Sequence, residues 1–105
     1  MAKLIFTERD EKLALHYFML TRQVTGLTDS FLHIFRLHSR GDETGNLFKG
    51  YKAYAQTELG DAIHHIKEIC ETLGLDFKET EIMGDTRYKE KQEEFLKRHP
   101  NDHWI

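Results

Sequence analysis

Apolar residues recur along this chain at intervals of three and four rather than two. Such spacing places apolar side chains on one face of a helix, so we predict helices nearly from end to end and no strand. The single proline, Pro100, agrees with this prediction, because proline interrupts helices and none lies before it. The protein is therefore expected to be all-α.

Two helices are predicted in the first 40 residues. Thr7 and Asp10 have the spacing of a capping box, which predicts a helix from residue 8 to 24. Gly26 is expected to end this helix, because glycine is common just after a helical C-terminus. Thr28 is then a candidate N-cap for a second helix that stops before the next turn-forming segment.

The remaining helices follow a segment of turn formers at residues 41–46. A long helix is predicted from residue 47 to 73, with Gly74 as its C-terminal cap. A short helical turn, a break at Gly84-Asp85 and a highly charged helix before Pro100 complete the chain. We therefore expect a bundle of four to five helices.

Length and composition predict one small domain that self-associates. The chain has 105 residues, of which 39% are hydrophobic, and this size suits a single domain spanning residues 1–105. A monomer this small buries a limited core, so helices that are apolar on two sides favour association between copies. We expect a homo-dimer or homo-tetramer.

Charge and targeting signals exclude several classes of protein. A net charge of -3 argues against binding to duplex nucleic acid, because such binding requires a surplus of Lys and Arg on the protein. The lone Cys70 has no internal disulfide partner and is expected to be a small buried residue. Residues 1–6 are too short for a signal sequence, and no stretch approaches the about 18 apolar residues of a membrane span. We therefore expect a cytoplasmic protein. The last two residues, Trp104 and Ile105, are expected to pack against the domain or a second subunit.

Four polar residues of the long helix are candidates for a metal site. Glu58, Asp61, His65 and Glu68 follow one another at steps of three, four and three, which places them along one face. Carboxylates spaced in this way can converge on Mg²⁺, although a solvated helix face has the same pattern. Gly60 costs about 1 kcal/mol inside a helix, so its presence suggests that a neighbouring helix or a ligand approaches there.

The second predicted helix has a polar face that could lie opposite the polar face of the long helix. Asp29, His33, Arg36 and Arg40 are separated by four, three and four residues and so lie on one side. This face is expected to meet Asp61. His33 is either a metal ligand or a partly buried, hydrogen-bonded histidine.

A family resemblance appears in the run Thr57-Glu-Leu-Gly-Asp-Ala-Ile-His-His-Ile-Lys-Glu-Ile-Cys-Glu-Thr-Leu-Gly-Leu-Asp76. It resembles the third helix of the MazG-like all-α nucleoside triphosphate pyrophosphohydrolases, where Glu-x-x-Asp opens a helix that closes on Leu-Gly-Ile-Asp or similar. The likeness extends more loosely over residues 8 to 100. It implies a bundle of four or five helices that assembles into dimers or tetramers. It also implies attack of water on a nucleotide phosphoanhydride, release of pyrophosphate, and Mg²⁺ held by four carboxylates.

The resemblance transfers only half of the family's ligand set. Glu58 and Asp61 match the Glu-x-x-Asp pair, whereas Ser30 and His33 stand where the Glu-x-x-Glu pair belongs, with Asp29 beside them. The metal ligands implied are therefore Glu58 and Asp61, supplemented by Asp29 and His33. A histidine ligand would favour Mn²⁺ or Zn²⁺ over Mg²⁺. Glu68 is a possible auxiliary ligand, and the candidate phosphate contacts are Arg36, Lys52 and Arg87.

These observations lead to three hypotheses. The first is a divergent, metal-dependent nucleotide pyrophosphohydrolase with Mg²⁺ or Mn²⁺ as its cofactor and a nucleotide as its substrate. The second is a non-catalytic helical module that forms oligomers and binds a nucleotide or a protein partner, as the missing glutamates suggest. The third is a transition-metal protein that uses Asp61, His64 or His65, and His33.

Overall fold

The computed structural model describes residues 7–103, which form three helices and no strand. They are α1 (Glu8–Ser39), α2 (Asn46–Thr72) and α3 (Phe77–Arg98). The all-α prediction is therefore confirmed for this part of the chain. The expectations for residues 1–6 and for Trp104 and Ile105 lie outside the described residues.

Helix α1 is one helix where two were predicted. It continues through Gly26, and the Thr28 hydroxyl donates to the carbonyl oxygen of Val24 at 3.2 Å, a contact typical of threonines inside helices rather than at caps. Leu27, next to Gly26, and Leu37, further along α1, are buried. Their packing outweighs the about 1 kcal/mol that an interior glycine costs, so Gly26 does not end the helix.

The predicted break at Gly84-Asp85 is also wrong, because both residues lie inside α3. Nothing would lie within 4 Å of a Cβ at Gly84, so this glycine introduces no steric conflict. Residues on both sides are mostly strong helix formers such as Glu, Lys and Met, which compensate for one glycine. The described residues therefore contain three helices rather than the four or five expected.

The capping box at Thr7, the C-terminal cap at Gly74 and the loop before α2 are confirmed. Thr7 and Asp10 form the capping box, with the Asp10 amide donating to the Thr7 hydroxyl oxygen at 3.2 Å. Gly41 and Gly74 follow α1 and α2 with φ angles of 73° and 72°, the left-handed conformation that glycine adopts most easily. The Gly74 amide donates to the Glu71 carbonyl at 3.1 Å, which closes α2.

Helices α1 and α2 form an antiparallel hairpin. Arg9 near the start of α1 donates from Nε to the Thr72 carbonyl at the end of α2, at 2.9 Å. At the other end of the hairpin, the His33 ring of α1 stacks on Tyr51 of α2 with 4.4 Å between ring centres. Among residues 7–103, every buried residue belongs to this hairpin, including the expected Cys70: Leu27, Ser30, Leu37, Ala55, Ala62 and Cys70.

Helix α3 is attached weakly to the hairpin. It packs against α2 alone, none of its residues is buried, and the Lys67 ammonium lies 5.2 Å from the centre of the Phe77 ring. The radius of gyration is 18.8 Å, compared with about 13 Å for a compact chain of about 100 residues. Within residues 7–103, no helix combines the length and the apolarity needed to cross a membrane.

Apolar residues that recur along α1 at steps of three and four are only partly covered. Leu13 and Leu20 are partly shielded, whereas Tyr17 and Val24 remain 67% and 54% exposed. Phe35, further along the same helix, is 65% exposed. One chain therefore leaves much of its apolar surface in contact with solvent.

Candidate functional site

Glu58 lies in the groove between α1 and α2, against the backbone of Gly26. A Cβ built on Gly26 would be 3.0 Å from the Glu58 Oε2 atom, closer than an ordinary contact, so glycine makes room for this carboxylate. The close approach expected at Gly60 is absent, because no atom lies within 4 Å of a Cβ there. The glycine that matters sterically is thus the one interpreted from sequence as a helix terminator.

Tyr54, one helical turn before Glu58, faces the same carboxylate. A hydrogen bond to Glu58 raises the pKa of the Tyr54 phenol above its usual value, and the negative charges of Glu58 and Asp29 act in the same direction. The pKa of Tyr54 is therefore raised by one carboxylate from each of the two helices. Sequence analysis missed this residue, although its four-residue spacing from Glu58 was a usable signal.

The other predicted ligands are distributed unevenly around Glu58. Asp61 is exposed, and its carboxylate has no hydrogen-bond or ion-pair partner among residues 7–103. His33 Nε2 lies 3.8 Å from Asp29 Oδ1, and the His33 ring is nearly parallel to Tyr51, at 8°. The structure thus groups Asp29 with His33 and leaves Asp61 free on the surface.

An open cleft of about 440 Å³ adjoins these residues. Its size falls within the about 300–1,000 Å³ typical of small-molecule sites. Tyr51 and Tyr54 supply aromatic surface, and Asp29 places a carboxylate at the edge. The complete lining is Asp29, Ser30, Asn46, Leu47, Gly50, Tyr51 and Tyr54.

Ser30 occupies one of the positions where the family resemblance implies glutamate. It is only 1% exposed and lies on the face of α1 that packs against α2. A serine here is small enough for the helices to pack closely, and it supplies no negative charge. The hairpin therefore has fewer carboxylates near Glu58 than the resemblance implies.

The three candidate phosphate contacts, Arg36, Lys52 and Arg87, are all exposed, and none forms an ion pair within the described range of 7–103. Arg87 belongs to α3, which does not pack against α1. The structure does not bring these three side chains to Glu58. They remain available to an anion from solvent.

His65 and Glu68, predicted on the same face as Glu58, belong to a second cluster. His65 Nδ1 is 2.9 Å from His16 Nδ1 on α1, and Glu68 Oε2 is 3.2 Å from Lys12 Nζ. The hydrogen bond from Lys12 lowers the pKa of Glu68, although desolvation opposes this. His16 was not identified from sequence, because the register of two helices decides which residues meet.

Taken over residues 7–103, no group of three or more His, Cys, Asp or Glu side chains is arranged to hold a metal ion. No family model, curated protein or solved structure matches the chain.

Proposed function

We propose that this chain is a divergent MazG-like, metal-dependent nucleotide pyrophosphohydrolase of the cytoplasm. The supporting observation is the position of Glu58 and Asp29, which come from different helices and both act on Tyr54 beside an open aromatic cleft. A planar base suits the cleft, because aromatic side chains provide surface for stacking. The carboxylates beside it suit a cation that accompanies the triphosphate.

The donor atoms of the proposed ligands suit a hard divalent cation. Glu58 and Asp61 supply carboxylate oxygens, which Mg²⁺ and Mn²⁺ prefer, and Asp29 supplies a third. His33 would have to leave its stack on Tyr51 to join them. When bound, such an ion offsets the negative charge of the phosphates and favours attack by water.

Self-association is part of this proposal, because a second copy would cover the exposed apolar surface and could add carboxylates. Phe18 and Phe35 are 62% and 65% exposed, and covering such side chains by a second copy would remove apolar surface from water. Two hairpins packed face to face would form a four-helix bundle of the kind the resemblance implies. Sedimentation should show a dimer or tetramer that Phe35→Glu weakens, while Gln56→Glu, at an exposed polar position, leaves it intact.

Calorimetry with Mg²⁺ and Mn²⁺, followed by pyrophosphate-release assays over a panel of nucleoside triphosphates, tests the activity. Mutation of residues that only hydrogen-bond to a metal ligand typically lowers metal affinity or activity by about 10- to 100-fold. Glu58→Gln and Asp61→Asn, which replace proposed ligands, should each lower metal affinity and pyrophosphate release by at least that factor. Glu71→Gln is the matched control, because Glu71 is an exposed glutamate on the same helix. A wild-type protein without metal binding or pyrophosphate release would contradict the proposal.

A second candidate function is a non-catalytic module that binds a nucleotide or a protein partner. Ser30 and His33 favour it, because they replace two carboxylates of the family pattern. This candidate predicts nucleotide binding without pyrophosphate release, and unaltered binding in Glu58→Gln. The third hypothesis predicts copurified Zn or Fe that Asp61→Asn and His33→Gln remove, and elemental analysis of the purified protein and these variants separates it from both candidates.

A further inference from the structure

A pair of histidines connects α1 to α2 away from the Glu58 groove. The Nδ1 atoms of His16 and His65 are 2.9 Å apart, and the ring centres are 5.2 Å apart. The His16 side chain is only 15% exposed. A contact of this length between two Nδ1 atoms requires one to donate and the other to accept, so a single proton lies between the rings.

Neighbouring charges orient the His16 ring. Its Nε2 atom lies 3.9 Å from Glu68 Oε2, and the same oxygen is 3.2 Å from Lys12 Nζ. A carboxylate beside Nε2 favours a proton on that nitrogen and leaves the lone pair on Nδ1, as in many metal-binding histidines.

We propose that His16 and His65 bind one divalent transition-metal ion, Zn²⁺, Ni²⁺ or Cu²⁺, through their Nδ1 atoms, and that this ion links α1 to α2. The ring that carries its proton on Nδ1 takes it up on Nε2 instead, so binding needs no net loss of a proton. Two protein donors and water molecules make up the coordination shell.

The spacing of the two rings already suits such an ion. Two imidazoles bonded to one tetrahedral ion at about 2.0–2.1 Å have donor atoms about 3.3 Å apart and ring centres about 5.2 Å apart. The ring centres of His16 and His65 have this separation. At this separation of the ring centres, the two rings have to turn until the nitrogens are about 0.4 Å farther apart.

This site differs chemically from the carboxylate groove. Imidazole nitrogen binds Zn²⁺, Ni²⁺ and Cu²⁺ in preference to Mg²⁺, whereas Glu58 and Asp61 offer only oxygen. His65 lies about two helical turns after Glu58, so an ion there would join α1 to α2 at a place separate from the groove. The inference does not depend on nucleotide hydrolysis, and its test uses no nucleotide.

The experiment measures binding of Zn²⁺ and Ni²⁺ by the chelator-treated full chain, using calorimetry and thermal unfolding. An ion at about five times its dissociation constant should raise the midpoint of unfolding by about 4–8 °C. His16→Gln and His65→Gln should each weaken binding at least about tenfold and abolish this rise. His38→Gln, on the same helix as His16 and paired with Glu43 near the loop, should leave both unchanged.

An NMR measurement on the wild-type chain covers the case in which a variant fails to fold. Paramagnetic Cu²⁺ at low stoichiometry should broaden the ring signals of His16 and His65 before those of His33, His38 and His99. Broadening centred on other histidines would overturn the proposal. Equal binding by wild type and by folded His65→Gln would overturn it as well.

Discussion

Replacing Gly26 with alanine tests how closely α1 approaches Glu58. Alanine is favoured over glycine inside a helix by about 1 kcal/mol, because it restricts the unfolded chain. The new Cβ would lie 3.0 Å from Glu58 Oε2, so the carboxylate has to withdraw by a few tenths of an ångström. The end of a flexible side chain can do so cheaply. We expect Gly26→Ala to stabilise the fold by about 0.5 kcal/mol, a rise of about 2–4 °C in the unfolding midpoint.

The same substitution should weaken the site while it stabilises the fold. Thermal unfolding followed by circular dichroism measures the first effect, and calorimetry with Mn²⁺ measures the second as a lower affinity. Gly84→Ala is the control, because Gly84 is a helical glycine with open space around it and should stabilise α3 without altering Mn²⁺ binding. A loss of more than about 1 kcal/mol in Gly26→Ala would refute the claim that Glu58 can move.

Three further predictions test the core and the two charged clusters. Leu37→Ala should lower the free energy of unfolding in urea by about 2–5 kcal/mol, because Leu37 is only 6% exposed. Leu32→Ala, at a position 59% exposed, should lower it far less. Equal losses would contradict the assigned core. Glu58→Gln should lower the raised pKa of Tyr54 towards 10.0, measured from tyrosinate absorbance, and an unchanged titration would contradict the contact. The lowered pKa of Glu68 stabilises the folded protein above the unfolded value near 4.5, and this stability is lost as pH falls through the folded pKa. Glu68→Gln should therefore flatten the dependence of urea midpoints on pH below about 4.5. Parallel profiles for the variant and the wild type would argue against this.

Much of the local structure follows from local sequence. The capping box of Thr7 and Asp10 and the left-handed Gly74 involve residues within a few positions of each other, and both were predicted. The same reasoning failed at Gly26 and Gly84. A glycine raises the energy of a helix only slightly, and neighbouring residues decide whether the helix continues.

The candidate site was predictable only in part. Glu58 and Asp61 were identified from their spacing and from the resemblance to one family, both of which depend on contiguous residues. Tyr54 and Gly26 were missed as neighbours of Glu58. Their roles depend on how deeply α2 lies against α1, which side-chain volumes on both helices decide together.

Helical periodicity and capping act over three or four residues, so the chain's own pattern was enough to predict that residues 7–103 are helical and where their loop lies. Only the tertiary structure decided that α1 and α2 pair antiparallel in a register that joins Gly26 to Glu58 and His16 to His65. These pairs are 32 and 49 positions apart in the chain. Contacts over such distances depend on the packing of whole helix faces, which no short segment specifies.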